Sequence, residues 1–191
     1  MPYANVPAFI SLLKDSTETI GRLALLFTIY TAARSGETRH ACWSHIDLEQ
    51  RLWKRPAHLM KMRRDHTVTL NEGAVAVLRK LEPLRRERHC LLFPGTKGQP
   101  LSDMTLSKIV RQSDTEATVH GFRSSFRDWA AEQMADIPDA VAEAALAHSV
   151  SDKVMAAYKR TNFIAMRHTL LEGWSTFITS AKPDAFNQSA T

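Results

Sequence analysis

Five separated stretches of the chain carry side chains able to hold an anion and move protons. Arg34 stands in Ala33-Arg34-Ser35-Gly36-Glu37, and Lys61 in a basic run. His120 and Arg123 share His120-Gly121-Phe122-Arg123, His148 follows Ala145-Leu146-Ala147, and Tyr158 comes ten residues later. His120 and Arg123, three apart on one helix face, can reach the same anion. Each residue taken singly also has an ordinary structural use. A cation closing an apolar helix, as at Arg34, is favoured by the helix dipole. A helix-end histidine can satisfy backbone carbonyls, and a tyrosine suits a half-buried amphipathic position. Lys61 can be one more solvated charge.

Charge points to the partner class. The net charge is +5, but its distribution matters more: Arg51 to Cys90 holds eleven Lys or Arg against four acids, leaving the rest slightly acidic. A local field of this sign favours a polyanion, nucleic acid first and anionic lipid second, although a solvated basic face has the same composition. At 191 residues, 44% apolar and 24% charged, with 7 Gly and 8 Pro, the chain is an ordinary folded unit, which excludes disordered and collagenous readings. No apolar stretch is long enough to span a bilayer, and the first residues show no secretory signal, so a cytoplasmic location is expected. Cys42 and Cys90, far apart and outside any CxxC spacing, offer neither a disulfide framework nor a zinc site. No carboxylate cluster calls for a metal, and no cofactor is implied.

The elements that must position these residues are mostly helical. The pattern predicts a short helix from Pro7 to about Lys14. A second, buried helix follows, with Ile20, Leu23, Leu26, Phe27 and Tyr30 on its apolar face, and a sharp change of direction is expected at Gly36. Leu52 to Pro56 and His66 to Leu70 read as strands of a basic-tipped hairpin whose link runs from His58 to Asp65. Asn71 caps a helix to about Leu81 and Ser102 caps one to about Arg111. Helices then follow over His120 to Met134, Pro138 to Ala147, Asp152 to about Tyr158 and Asn162 to Ser180. The last carries an apolar stripe of Phe163, Met166, Leu170, Trp174, Phe177 and Ile178. The polar 181–191 reads as a disordered tail. The expected class is α+β: mainly α with a small antiparallel sheet, in a single domain over 1–180.

Taken together, the five stretches resemble the catalytic domain of tyrosine recombinases, the phage-integrase family, and within it the integrases of prophages and genomic islands. The order is the family's: Arg in R-x-G-E, Lys on a β-hairpin, H-x-x-R, a second His, then Tyr. Flanking stretches match the island type, among them Leu59-Met60-Lys61-Met62-Arg63-Arg64-Asp65-His66, Thr118 to Ala130, and Asp152-Lys153-Val154-Met155-Ala156-Ala157-Tyr158-Lys159-Arg160. The likeness covers nearly the whole chain. Many members have glycine before the second histidine, where this chain has Ala147.

The resemblance implies a DNA strand transferase that conserves bond energy in a covalent 3′-phosphotyrosine. Tyr158 would be the nucleophile. Arg34 and Arg123 would hold the nonbridging oxygens, since fixed guanidinium forks answer the charge that builds there. Lys61, its pKa lowered by cations such as Arg63 and Arg64, would protonate the leaving 5′ oxygen, with Lys54 the weaker candidate. His120 would take the tyrosine proton, His148 would donate to the phosphate, and Glu37 would orient Arg34 or a histidine. Lys54, Arg55, Arg63, Arg64, Arg127, Lys159 and Arg160 are expected to contact DNA. Implied partners are duplex attachment sites, further integrase subunits in a tetramer on DNA, and accessory bending or excision factors, in a nucleoid-associated bacterial or phage-encoded protein. Arm-binding and core-binding domains precede the catalytic domain in such integrases. The chain is therefore expected to be the C-terminal part of a larger integrase, monomeric without DNA, with weak, salt-sensitive, largely nonspecific DNA binding. Type IB topoisomerase-like nicking and religation, a catalytically idle DNA-binding remnant and, suggested only by 8 His, a metal nuclease are the competing readings.

Overall fold

The apolar second helix predicted from sequence forms the centre of the molecule. The computed structural model describes residues 1–60, 63–85, 90–113, 116–148 and 163–180. Helix α1 spans Val6–Asp15 and α2 spans Ile20–Thr31, where Thr19 caps the first turn by accepting the Arg22 N–H at 3.2 Å. Ten of the twelve α2 residues are buried, since the helix is covered on all sides. α2 ends at Ala32, whose φ of 48° is left-handed. The N–H groups of Ala32 and Ala33 bond back to Ile29 and Thr28. This paired closure is the Schellman motif, in which the reversing residue is usually glycine.

The change of direction therefore falls at Ala32. Gly36 lies inside a short helix, α3 (Ser35–Arg39), that the turn reading of this stretch did not anticipate. Three antiparallel strands follow in sheet order: β1 (Ile46–Asp47), β2 (Leu52–Arg55) and β3 (His66–Thr69). The expected hairpin is β2–β3, with Trp53 opposite Val68 and Arg55 opposite His66; β1 adds a two-residue edge. Strand alternation sends Trp53 and Arg55 inward and Lys54 outward. The Trp53 ring packs on Phe27 of α2 at 5.3 Å.

Asn71 starts α4 (Glu72–Leu81) by accepting the Ala74 N–H, and its amide donates to the carbonyls of Tyr30 and Leu171. One buried side chain thus ties three helices, with its hydrogen-bonding groups met. α5 (Met104–Gln112) packs on α2, and α6 (Gly121–Gln133) and α7 (Asp139–Ala145) form a corner. α7 is shorter than predicted because Ala147, with φ 52°, ends it in a second Schellman closure: Ala147 N–H to Ala144 O at 3.2 Å and His148 N–H to Glu143 O at 3.0 Å. The last described helix, α8 (Ile164–Thr179), lays Trp174 against Phe126, Trp129 and Phe177, and Trp174 Nε1 donates to Ile29 O at 2.9 Å. Met166, placed on the apolar stripe by its spacing, is instead exposed, and Leu171 is buried. Cys42 and Cys90, distant in sequence, meet beside the Cys42–Leu91 β-bridge as free thiols with their sulfurs 2.8 Å apart. The expected helix at 152–158 and the tail at 181–191 lie outside the described residues. The architecture is mainly α with one small antiparallel sheet.

Candidate functional site

Arg34 leaves the left-handed end of α2 and caps α3 in extended conformation. The Glu37 carboxylate, one helical turn on, accepts the Arg34 backbone N–H at 2.8 Å and its guanidinium at 2.9 Å. The same carboxylate pairs with Arg55, which reaches in from β2 and is 4% exposed. Burial alone would raise the Glu37 pKa, but Arg55 and Arg34 beside it hold the carboxyl below its usual range.

Arg123, on α6 and 4% exposed, faces the same space. Its guanidinium donates to Ala32 O and to Leu146 O, the latter at 2.8 Å, and lies 3.3 Å from His148 Nε2. It therefore joins the two Schellman turns from which Arg34 and His148 emerge. Burial, then the nearby Arg34 and Arg55, draw its pKa down to about 10, opposed by Glu37. Arg167 of α8 is buried as well, donates to Thr67 O, and is lowered to about 10 by burial and by Arg55. Three guanidiniums, Arg34, Arg55 and Arg123, thus share the field of one inner carboxylate, Glu37. The cluster has a surplus of positive charge in a partly desolvated place, which an anion such as a phosphodiester would neutralise. A cavity of about 270 Å³ opens beside Gly36, Glu37, His40, His45, Arg55 and His58.

His148 is held from the other side. Its Nδ1 lies 2.7 Å from Glu143 Oε2, and Glu143 Oε1 accepts Arg127 Nε at 2.6 Å. Arg127 also pairs with Asp139 at 3.3 Å. Burial opposes ionisation of Glu143, but its hydrogen bonds from Arg127 and His148 prevail and lower its pKa. His120 stands at the N-cap position of α6, one turn before Arg123, and is exposed.

The structure thus brings Arg34, Glu37, Arg123 and His148 together, with His120 at the N-terminus of the helix that carries Arg123. Lys61, Tyr158, Lys159 and Arg160 lie outside the described residues. Of the arginines and lysines expected on DNA, Arg63 and Arg64 are exposed, while Lys54 faces away from Arg55 and pairs with Asp47 at 3.1 Å. Arg55 is buried against Glu37, because it shares the inward face of β2 with Trp53, and Arg127 is engaged by Glu143 and Asp139. Sequence reasoning missed Glu143, His66 and Arg167. Glu143 could have been found from its place one turn inside the helix end that carries His148. Nothing local marks Arg167, whose place depends on α8 docking against β3. Among the described residues no group of His, Cys, Asp or Glu is arranged to hold a metal ion, and no helix is long and apolar enough to cross a membrane.

Comparison with known proteins gives the family and the fold. The sequence profile of the phage integrase family matches residues 1–164. The chain is 32% identical to prophage integrase IntA of Escherichia coli K12 over 84% of this chain and 39% of that protein. It is 28% identical to the integrase of Enterobacteria phage P4 over 93% and 45%. It spans less than half the length of these relatives. In fold it is similar to the lambda integrase (75–356) dimer bound to a COC′ core site, with a TM-score of 0.57 and 19% identity over 77% of this chain and 56% of that one. It is also similar to the Tn1549 transposon integrase in complex with circular intermediate DNA, with a TM-score of 0.51 and 17% identity over 80% and 64%. By its sequence over most of its length and by its fold, the chain belongs to the phage integrase family.

Proposed function

We propose that this chain is the catalytic part of a site-specific DNA recombinase. The observation that carries the reading is the surplus of guanidinium charge around Glu37, on a surface that also presents two histidines. A phosphodiester seated there would receive Arg34 and Arg123 on its nonbridging oxygens and His148 Nε2 on one of them. Tyr158 Oη attacks phosphorus, its proton passing to His120. The bond from phosphorus to the 5′ oxygen breaks, and Lys61 protonates the departing oxygen to give the free 5′ hydroxyl. The 3′-phosphotyrosine stores the bond, and attack by the 5′ hydroxyl of a partner strand reverses these steps, giving integration or excision of mobile DNA. The charge is met by arginines, so the chemistry needs no metal, and cleavage should persist in chelator. Duplex attachment sites, sister subunits assembled as a tetramer on DNA and accessory bending factors are the partners this reading requires, with the nucleoid as its place of action.

The test is covalent trapping on a nicked suicide duplex bearing a flank of the chain's own attachment region. A denaturant-resistant adduct that disappears in Tyr158→Phe supports the reading. Confirmed DNA binding without an adduct, also after the preceding integrase domains are joined to the chain, overturns it. Joints between two duplexes distinguish a recombinase from an enzyme that only nicks and religates one strand.

A further inference from the structure

We propose that Glu143 is a positioning residue for His148, itself held by Arg127, which Asp139 braces, and that it provides the counter-charge the imidazole needs when it turns from Arg123 to a phosphate. This rests on the reading of His148 as a phosphate contact. Glu143 grips His148 at two points: its backbone carbonyl accepts the His148 N–H at 3.0 Å in the Schellman closure, and its carboxylate meets Nδ1 at 2.7 Å. A carboxylate cannot donate, so Nδ1 carries the proton and the ring is fixed with Nε2 pointing away from α7. In the DNA-free protein Nε2 faces the Arg123 guanidinium at 3.3 Å, which makes it an acceptor. A phosphate oxygen accepts only, so contact with it requires a proton on Nε2 while Nδ1 keeps its own. The ring then becomes an imidazolium sandwiched between the phosphate and Glu143.

Among the described residues, the charged groups that touch His148 are Arg123 from α6 and Glu143 from α7, and behind Glu143 stand Arg127 of α6 and, paired with it, Asp139 of α7. The two arginines are one turn apart. Arg123 touches the histidine directly, and Arg127 holds the carboxylate behind it. This is the division of labour by which an acid orients a catalytic imidazole in hydrolytic triads, where choosing the wrong tautomer costs roughly 10⁴-fold in rate.

The experiment compares wild type, Glu143→Gln, Glu143→Ala and Arg127→Gln. The first readout is the His148 ring-nitrogen chemical shifts of the DNA-free protein, and the second is single-turnover adduct formation between pH 6 and 8. We expect the Nδ1–H tautomer in wild type and mixed tautomers in Glu143→Ala. Cleavage by both Glu143 variants should be slower by about tenfold or more, with a pH dependence unlike that of wild type, and Arg127→Gln should be intermediate. An unchanged tautomer in Glu143→Ala overturns the proposal, as does a slowed reaction that keeps the wild-type pH profile, the sign of a merely structural loss. If wild type binds DNA but forms no adduct, also after the preceding integrase domains are joined to the chain, while the tautomer responds as expected, the recombinase reading fails and the positioning role of Glu143 stands.

Discussion

Ala32 and Ala147 occupy equivalent places in the molecule: each is the left-handed residue that closes a helix, with φ of 48° and 52°, and the Arg123 guanidinium binds the carbonyl of one and of the residue preceding the other. The position that many family members fill with glycine is therefore one where an L side chain is strained.

Ala147→Gly should relieve that strain. About 1–2 kcal/mol of left-handed cost is removed, offset by about 0.4–1 kcal/mol of added unfolded-state entropy. A net gain of up to about 1 kcal/mol is expected in urea unfolding, and Ala147→Val should lose stability. A loss in the glycine variant would contradict the backbone geometry.

Glu37 balances more than one cation. Its truncation leaves buried Arg55 without a carboxylate and should destabilise the fold by about 3–5 kcal/mol. The unbalanced guanidiniums then become a stronger anion site, so sulfate should raise the melting temperature of Glu37→Ala more than that of wild type. Equal shifts would argue that the arginines do not act as one cluster.

His66, opposite Arg55 on β3, gives the fold an acid sensitivity. Burial, then Arg55 and Arg167, push its imidazole down to about 2, so it stays neutral in the folded chain while the unfolded chain protonates below about 6.5. Stability should therefore be intact above pH 6.5 and fall as pH drops through the window below it, by at most about 1.4 kcal/mol per pH unit from this group. His45 and His168 shift the same way, and Glu37 and Glu143 join only below about 4.5. His66→Gln should flatten the slope between pH 6.5 and 4.5 in chemical denaturation; an unaltered slope would assign the effect to the other histidines.

Two glycines should respond oppositely to alanine. A Cβ on Gly73 would collide with the buried Tyr30 ring, and overpacking of this kind costs about 1–3 kcal/mol. A Cβ on Gly36 meets nothing within 4 Å, so Gly36→Ala should keep stability or gain up to about 1 kcal/mol as a helical substitution. Under the proposed function a DNA backbone resting on Arg34 would pass over the exposed face of α3, so cleavage by that variant should nonetheless fall. Unchanged cleavage would mean that DNA stays clear of it.

What the sequence disclosed follows from the range of the forces involved. α2 and α4 were legible because apolar period and capping residues are local, and so was the β2–β3 hairpin. Arg34, Glu37, Arg123 and His148 were legible through their order along the chain. α3 was not, since a five-residue helix has little periodicity and its glycine suggested a turn. Arg55 looked like a surface cation by composition, although its alternation with Trp53 carried the information that it points inward. Glu143 and Arg167 are assigned only by which helices meet, a property of packing that no short window holds.

Arg123 cannot be lost without loosening the corner it fastens, because the guanidinium that would grip a phosphate also closes the ends of α2 and α7. A gene copy freed from selection drifts through changes its fold can absorb. Inheritance of the folded state therefore protects Arg123 even where strand transfer no longer matters, while exposed His120 has no such protection. A descendant that keeps this architecture as an inert DNA-coating protein would be recognised by a missing His120 beside a retained Arg123.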